Sequence, residues 1–170
     1  SPSSDDDFFF VTTGEGPVGT NRLGRVYHLR LREDPLAPVR LDIVVNADRI
    51  FDPDGDGTYD TSGAVDAPLS PDNIDASTGV LMVQEDGTSP TRAVMSSLGR
   101  DGSIWRFDLD RVAGRTVIDA TSGERVVELA PPGAWGTPPP AVTPGRWESS
   151  GIIDGASIWG SGTWLFDVQA

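Results

Sequence analysis

The chain has 170 residues, the length of one ordinary domain, and 26 acidic against 13 basic residues leave a net charge of −13. All 13 basic residues are arginine, so this acidic, lysine-free surface lacks the basic footprint that nucleic acid or an anionic membrane requires, and cations are the favoured partners. With no cysteine there is neither disulfide nor thiolate metal site, and no apolar run approaches the roughly 18–20 residues that cross a bilayer as a helix.

The 20 glycines and 14 prolines fall between short apolar runs, a pattern of many turns and short strands. The N-terminal Ser1-Pro2-Ser3-Ser4-Asp5-Asp6-Asp7 has no basic region of a signal peptide and reads as a processed or truncated end. Freedom from cysteine is compatible with export, and the expected setting is secreted, extracellular or periplasmic.

In chain order, Phe8–Thr13 is β-branched and aromatic and reads as a buried strand. Gly14–Gly24 is a loop. Arg25–Arg32 alternates, with Val26, Tyr27, Leu29 and Leu31 apolar and His28 on the arginine-bearing face; Tyr27 fits the polar face with its hydroxyl wet. Val39–Val45 makes a third strand, and nothing to this point has helical period. Residues 46–79 read as one long acid-rich connection. Val80–Gln84 is the next strand, and Ala93-Val94-Met95 is either a short strand or part of a loop. Ser103–Leu109 alternates again and Arg125–Leu129 closes the group. Pro131–Pro144 is extended, because proline excludes helix and central strand. Ile152–Trp159 and Thr163–Val168 supply two further apolar stretches.

An internal repeat links these strands. Gly24-Arg-Val-Tyr-His-Leu-Arg-Leu31 matches Gly102-Ser-Ile-Trp-Arg-Phe-Asp-Leu109. Phe8–Thr13 occupies the slot of Val80–Glu85, Val39–Val45 that of Arg125–Leu129, and Trp164–Gln169 resembles a third copy of the first strand. Repeated antiparallel strands with long loops predict an all-β fold, a partial β-propeller of about two to three blades of four-stranded sheet. Residues 8–45 form a partial blade and 46–79 an acidic calcium-binding connection. Residues 80–130 form a full blade, 131–150 a Pro-rich loop and 151–170 the start of another blade. Propellers close with about four to eight blades, so the remaining blades are expected from another chain or a longer precursor.

The strongest local motif is Asp52-Pro-Asp54-Gly-Asp56-Gly-Thr58-Tyr-Asp60. Carboxylates at positions 1, 3, 5 and 9 with glycine at 6 suit Ca²⁺, although position 12 is Gly63 rather than the bidentate glutamate of an EF-hand. Asp66 or the Thr58 carbonyl is available to complete such a site; the competing reading is a solvated acidic turn. A second group surrounds the stretch Ser70–Gly87, where Glu85 and Asp86 end an apolar strand preceded by Asp72 and Asn73. Acids at a strand tip need a cation or several donors. Oxygen ligands suit Ca²⁺ or Mg²⁺ and are acceptable to iron; strand-end capping is the competing reading. Glu148 is a third candidate, as ligand or base, against a loop hydrogen-bonding role. Asp154 and Asp167 lie in or beside strands, with Asp167 facing solvent or a central channel. One histidine and no cysteine leave triad and zinc chemistry unsupported, and His28 reads as exposed or bonded across strands. The five tryptophans read as wedges between blades, with Trp135 alternatively a surface contact.

The run P-D-N-I-D…G-V-L-M-V-Q-E-D-G, then G-S-I-W-R-F-D-L, then W-E-S-S-G-I-I-D…G-T-W-L-F-D-V-Q-A resembles the C-terminal portion of PhoX-type alkaline phosphatases and phytase-like secreted bacterial β-propellers. The resemblance spans about Phe8–Ala170. It implies a propeller fold and calcium-dependent hydrolysis of phosphate monoesters, with iron in some members and no cysteine here to serve as its ligand. It also implies a metal position at Glu85, more weakly at Asp72 and Glu148, with Glu85 and Glu148 as the catalytic candidates. The expectation is a calcium-dependent phosphoesterase segment. The alternatives are a non-catalytic calcium-stabilised extracellular module and a structural subunit that pairs its open edges with other chains.

Overall fold

The computed structural model describes residues 7–14, 20–31, 36, 39–62, 66–77, 79–87, 89–112, 115–129 and 148–169. The chain is mostly β, 50% strand against 16% helix, with antiparallel sheets and one curled, half-barrel sheet, as the expectation of many short strands requires. The proline-rich segment, Trp135 and Trp147 lie outside the described residues.

The first sheet has the order β1 (Asp7–Thr12), β2 (Arg25–Arg30), β3 (Arg40–Asn46). Its alternation differs from the sequence reading. Val26 and His28 are buried and point inward, whereas Tyr27 and Leu29 share the outer face with the exposed Phe8 and Phe10. His28 is accommodated because Phe9 stacks on it with ring centroids 4.4 Å apart and its Nε2 sits 3.1 Å from Asp7 Oδ1. It is therefore buried, not exposed. Tyr27 stacks on Phe10 at 4.9 Å, so β1 is a half-covered strand and not a buried one.

Residues 46–79 are more structured than a single connection. Asn46 caps the short helix α1 (Ala47–Phe51), accepting from the Arg49 amide, and both Asp48 oxygens take amide protons from the loop before β2, at Arg22 and Leu23. Strand β4 (Pro71–Ser77) then opens the second sheet, so Asp72 belongs to a strand.

That sheet continues through β5 (Val80–Glu85) to β6 (Ser103–Val112), which pairs with β7 (Arg115–Ile118) along its second half and β8 (Glu124–Glu128) along its first. The strand β7, absent from the sequence reading, and β8 run as one path along β6, interrupted by a single 3₁₀ turn at Ala120–Ser122. There the Ser122 hydroxyl takes over as acceptor for the Asp108 amide at 2.8 Å. Ala93–Met95 is neither strand nor loop. It is the middle of helix α2 (Ser89–Leu98), whose Thr91, Val94 and Met95 are buried at helical spacing. Pro90 fits the first turn because that position has no intrahelical N–H bond to lose. Gly99, at φ +70°, ends the helix, and the Arg100 amide bonds back to the Met95 carbonyl.

The repeat read from the sequence is a repeat of structure for Gly24–Leu31 and Gly102–Leu109, while on the strand before it Phe8 is the counterpart of Leu81 and not of Val80. Both units carry a β-bulge at the same step, between Val26 and Tyr27 in one and between Ile104 and Trp105 in the other. The matching backbone bonds also recur: Ala47 N–H to Gly24 carbonyl and Leu129 N–H to Gly102 carbonyl. The third sheet is a hairpin of β9 (Glu148–Asp154) and β10 (Trp164–Gln169), joined through the short helix α3 (Ala156–Trp159).

Alternation along β5 and β6 sends their residues to two cores. Leu81, Val83, Trp105 and Phe107 join Val26 and Val45 of the first sheet. Met82 and Ile104 join Ile152 of the third. The second sheet is thus central, with each face covered by another sheet, and each buried Leu, Val or Phe contributes about 1.5–3 kcal/mol of transfer free energy. Among the tryptophans, Trp105 lies between sheets as expected, Trp164 is partly buried, and Trp159 is exposed.

Candidate metal centre and carboxylate rim

Asp52 follows α1 directly, and its amide caps the helix by donating to Asp48. The loop it begins is closed at the neck, where the Asp60 amide donates to the carbonyl of the fully buried Phe51 at 2.6 Å. Inside that neck the aspartates hold the backbone of their own loop. Asp52 Oδ2 accepts from Gly57, Asp54 Oδ1 from Asp56 and Asp56 Oδ1 from Thr58. Gly55 and Gly57 supply the positive φ angles, +74° and +85°, that the reversal requires. One carboxylate oxygen each from Asp52, Asp54 and Asp56 lies within 4.8 Å of the others. Asp52 Oδ1 is buried and has no hydrogen-bond partner among the described residues. Three hard oxygens with one orphaned acceptor fit an oxygen-seeking divalent cation.

Asp60 and Asp66 are placed differently from the sequence expectation. Asp60 Oδ1 accepts from both the amide and the hydroxyl of Ser62, which pulls its carboxyl below the usual range. Asp66 is held by Arg100 at 3.1 Å and Arg125 at 3.3 Å, and is unavailable to complete the loop.

Glu85 is not at a rim. Its side chain is fully buried, with Oε2 2.5 Å from Arg100 Nη1 and Oε1 accepting from Arg100 Nη2 at 2.9 Å and from the Leu69 amide at 2.7 Å. Burial pushes the carboxyl up while Arg100 and the amide oppose it. Burial lowers Arg100, but the charge and hydrogen bonds of Glu85 and then Asp66 outweigh it and leave a net rise. Burial prevails and leaves a net rise for Glu85, while two donors from Arg100 and one from Leu69 satisfy its oxygens and make it a structural anchor beneath the sheet end. A neighbouring constraint is Ser70, held at φ +45°, whose amide donates to Leu23 and whose carbonyl accepts from Asp86.

The rim itself is made by three other carboxylates. Asp72 is the extra residue of a β-bulge between Pro71 and Asn73, and a bulge re-aims the side chain it carries. Its oxygens accept from Thr13 Oγ1 at 3.2 Å and Asn73 Nδ2 at 2.9 Å. Asp86 follows β5, and Glu148 opens β9. The Glu148 carboxyl hydrogen-bonds Asp86, which with burial and the nearby charges of Asp86 and Asp72 pushes it up to about 7, while the Gly87 amide pulls the other way. Two crowded carboxylates therefore share a proton. The sequence singled out Asp72 and Glu148 and paired Glu85 with Asp86; the fold keeps Asp72, Asp86 and Glu148 together and withdraws Glu85.

The remaining strand acids have structural partners. Asp154 Oδ2 accepts from Ser77 Oγ and its Oδ1 from the Ala156 amide, and its own amide donates to Asp75. Exposed Asp167 accepts from Ser150 Oγ at 2.6 Å. A cavity of about 250 Å³ between the first and central sheets is lined mainly by Val44, Ile50, Trp105 and Phe107, with Asp66 at its wall. No helix among the described residues is long and apolar enough to cross a membrane. No protein-family model, curated protein or solved structure matches the chain.

Proposed function

We propose that this chain is a calcium-binding β-sheet module, with Asp52, Asp54 and Asp56 as the cation's carboxylate ligands. The observation that carries the reading is the preorganised loop: three ligand oxygens within 4.8 Å and a buried Asp52 oxygen without a donor among the described residues. Mutual repulsion of these carboxylates is costly without a cation. A site with three carboxylates and no bidentate glutamate is expected to bind calcium weakly, on the order of 10⁻⁴–10⁻³ M, as extracellular modules do. The three stacked sheets, the first two of which share a bulge, are read as consecutive β-propeller blades.

The test is calorimetric titration of the chain with Ca²⁺, with Mg²⁺ as comparison, repeated on Asp54→Asn. Binding near millimolar Kd that Asp54→Asn weakens tenfold or more supports the reading; absence of binding at 20-fold higher calcium than about 1 mM overturns it.

The second reading is a segment of a calcium-dependent phosphoesterase of the PhoX-like kind, in which iron or Mg²⁺ is the other candidate metal. It is favoured by the rim, where Asp72, Asp86 and Glu148 arrive from three strands. Metal ions held there would polarise a phosphoryl oxygen of a phosphate-ester substrate. Without a metal the Glu148 carboxyl titrates at about 7, and a cation on the rim would displace that proton and leave Glu148 as a ligand. Glu85 has no place in this reading, since Arg100 and Leu69 occupy its oxygens. Release of p-nitrophenol from p-nitrophenyl phosphate, dependent on added metal and lost in Glu148→Gln, supports it. Turnover absent with Ca²⁺, Mg²⁺ and iron each supplied excludes it for this chain.

A further inference from the structure

We propose that the chain associates head to tail with a second copy of itself. The outer face of the third sheet of one molecule packs on the outer face of the first sheet of the next. The inference goes beyond cation binding and rests on the polarity of the sheet stack.

The repeat makes Tyr27 and Leu29 the counterparts of Trp105 and Phe107, and Val26 the counterpart of Ile104. In the central sheet, the face bearing Trp105 and Phe107 is covered by the first sheet, leaving them 3% and 1% exposed. The corresponding face of the first sheet lies open. Two registered rows cross it, Phe8–Leu29–Leu41 and Phe10–Tyr27–Ile43, and Phe8, Phe10, Leu41 and Ile43 are 39–52% exposed.

The opposite faces follow the same order. Val26 packs toward the central sheet and Ile104 toward the third. In the first and central sheets, therefore, the Val26-type face points forward and the Tyr27-type face backward, and the contact between them joins unlike faces. At the two ends of the stack an apolar face remains open, one on the first sheet and one on the third. On the third sheet the open face carries the cross-strand pair Ile153 and Leu165, both exposed. Charge is complementary as well. Beyond Tyr27 on the outward side of β2 stands Arg25, and two residues past Leu165 stands Asp167. Pairing two first-sheet faces would instead join like faces and set Arg25 against Arg25. A heterologous contact of this kind closes into a ring or extends as a filament, depending on its rotation.

The experiment is sedimentation of the full chain over a wide concentration range, alone and with Ile43→Glu and Leu165→Glu. The wild type is expected to show mass above 18.0 kDa that rises with concentration. Each variant alone is expected to stay at 18.0 kDa, and an equimolar mixture of the two to form a species of twice that mass and none larger, because one intact interface remains. Far-UV circular dichroism confirms that each variant is folded. Should one fail, Leu41→Glu or Ile153→Glu, also at exposed positions, replaces it. A wild type that is monomeric throughout overturns the proposal. So does a Leu165→Glu or Ile153→Glu protein that associates as the wild type does, since that outcome means like faces meet.

Discussion

Arg100 Nη1 lies 2.5 Å from Glu85 Oε2, with the two side chains 2% and 0% exposed, so one ion pair pins the end of β5 to the turn after α2. Removing one partner strands a buried charge. Arg100→Met is expected to cost about 3–5 kcal/mol in urea denaturation. The double variant Arg100→Met with Glu85→Met should recover most of that loss, because well-packed apolar groups of similar size replace the pair at little net cost. A small loss in the single variant would show that water reaches Glu85.

Calcium should raise the melting temperature, and tenfold excess over Kd corresponds to about 1.4 kcal/mol of stabilisation by mass action. Asp52→Asn and Asp56→Asn are expected to abolish the rise as Asp54→Asn does. Asp60→Asn should leave it nearly intact, since Ser62 engages that carboxylate. Differential scanning fluorimetry with and without chelator reads all four.

Glu148 sets a pH dependence whose sign follows from its folded value of about 7 against an ordinary 4.5. Between those values the folded state binds more protons than the unfolded one, so stability is fullest below about 4.5 and is lost as pH rises through about 7. Allowing for solvent screening at a half-exposed site, the change is about 1–2 kcal/mol. Denaturation at stepped pH without divalent cations should show this fall, and Glu148→Gln should flatten it.

His28 acts with the opposite sign. Burial, then the charge of Arg30, pushes its pKa below the ordinary 6.5, so its neutral form contributes stability above 6.5 that is lost as pH falls through the folded value. Replacement by Phe, which keeps the stack on Phe9, is expected to remove this acid sensitivity in the same denaturation series.

Gly24 tests the seam between the first sheet and β4. Its φ is +92°, and an added Cβ would collide with the Pro71 ring and lie 2.8 Å from the Thr12 carbonyl oxygen. Gly24→Ala should destabilise by about 1–3 kcal/mol, from strain in the left-handed region together with the overlap. An unchanged urea midpoint would show that β4 moves freely relative to Gly24.

Most strand positions were legible because alternation of β-branched and aromatic residues is a local property, and so was the repeat, since equivalent side chains recur at equal spacing; the polar β4 and the short β7 carry no such alternation and were not. The aspartate loop was legible for the same reason: Asp52, Asp54 and Asp56 are close along the chain, and glycines fold the loop on itself. Helix α2 escaped because four residues at helical spacing, Thr91 to Leu98, make too short a periodic signal beside the β-branched Val94. Which face of β2 turns inward was equally hidden, because His28 is buried only by virtue of Phe9 and Asp7 on another strand.

By itself the sequence determined a cysteine-free, acidic chain of many short strands, a repeated strand unit and a local carboxylate loop, all of which rest on composition or on neighbours within a few residues. Tertiary structure alone decided which acids meet. Glu85 and Asp86 are adjacent in the chain, yet a strand sends successive side chains to different surroundings, one under Arg100 and the other to Glu148. That partition depends on Arg100, one helix further along the chain, and on Glu148, three strands beyond that helix, and pairing at such distances is written only in the packed fold.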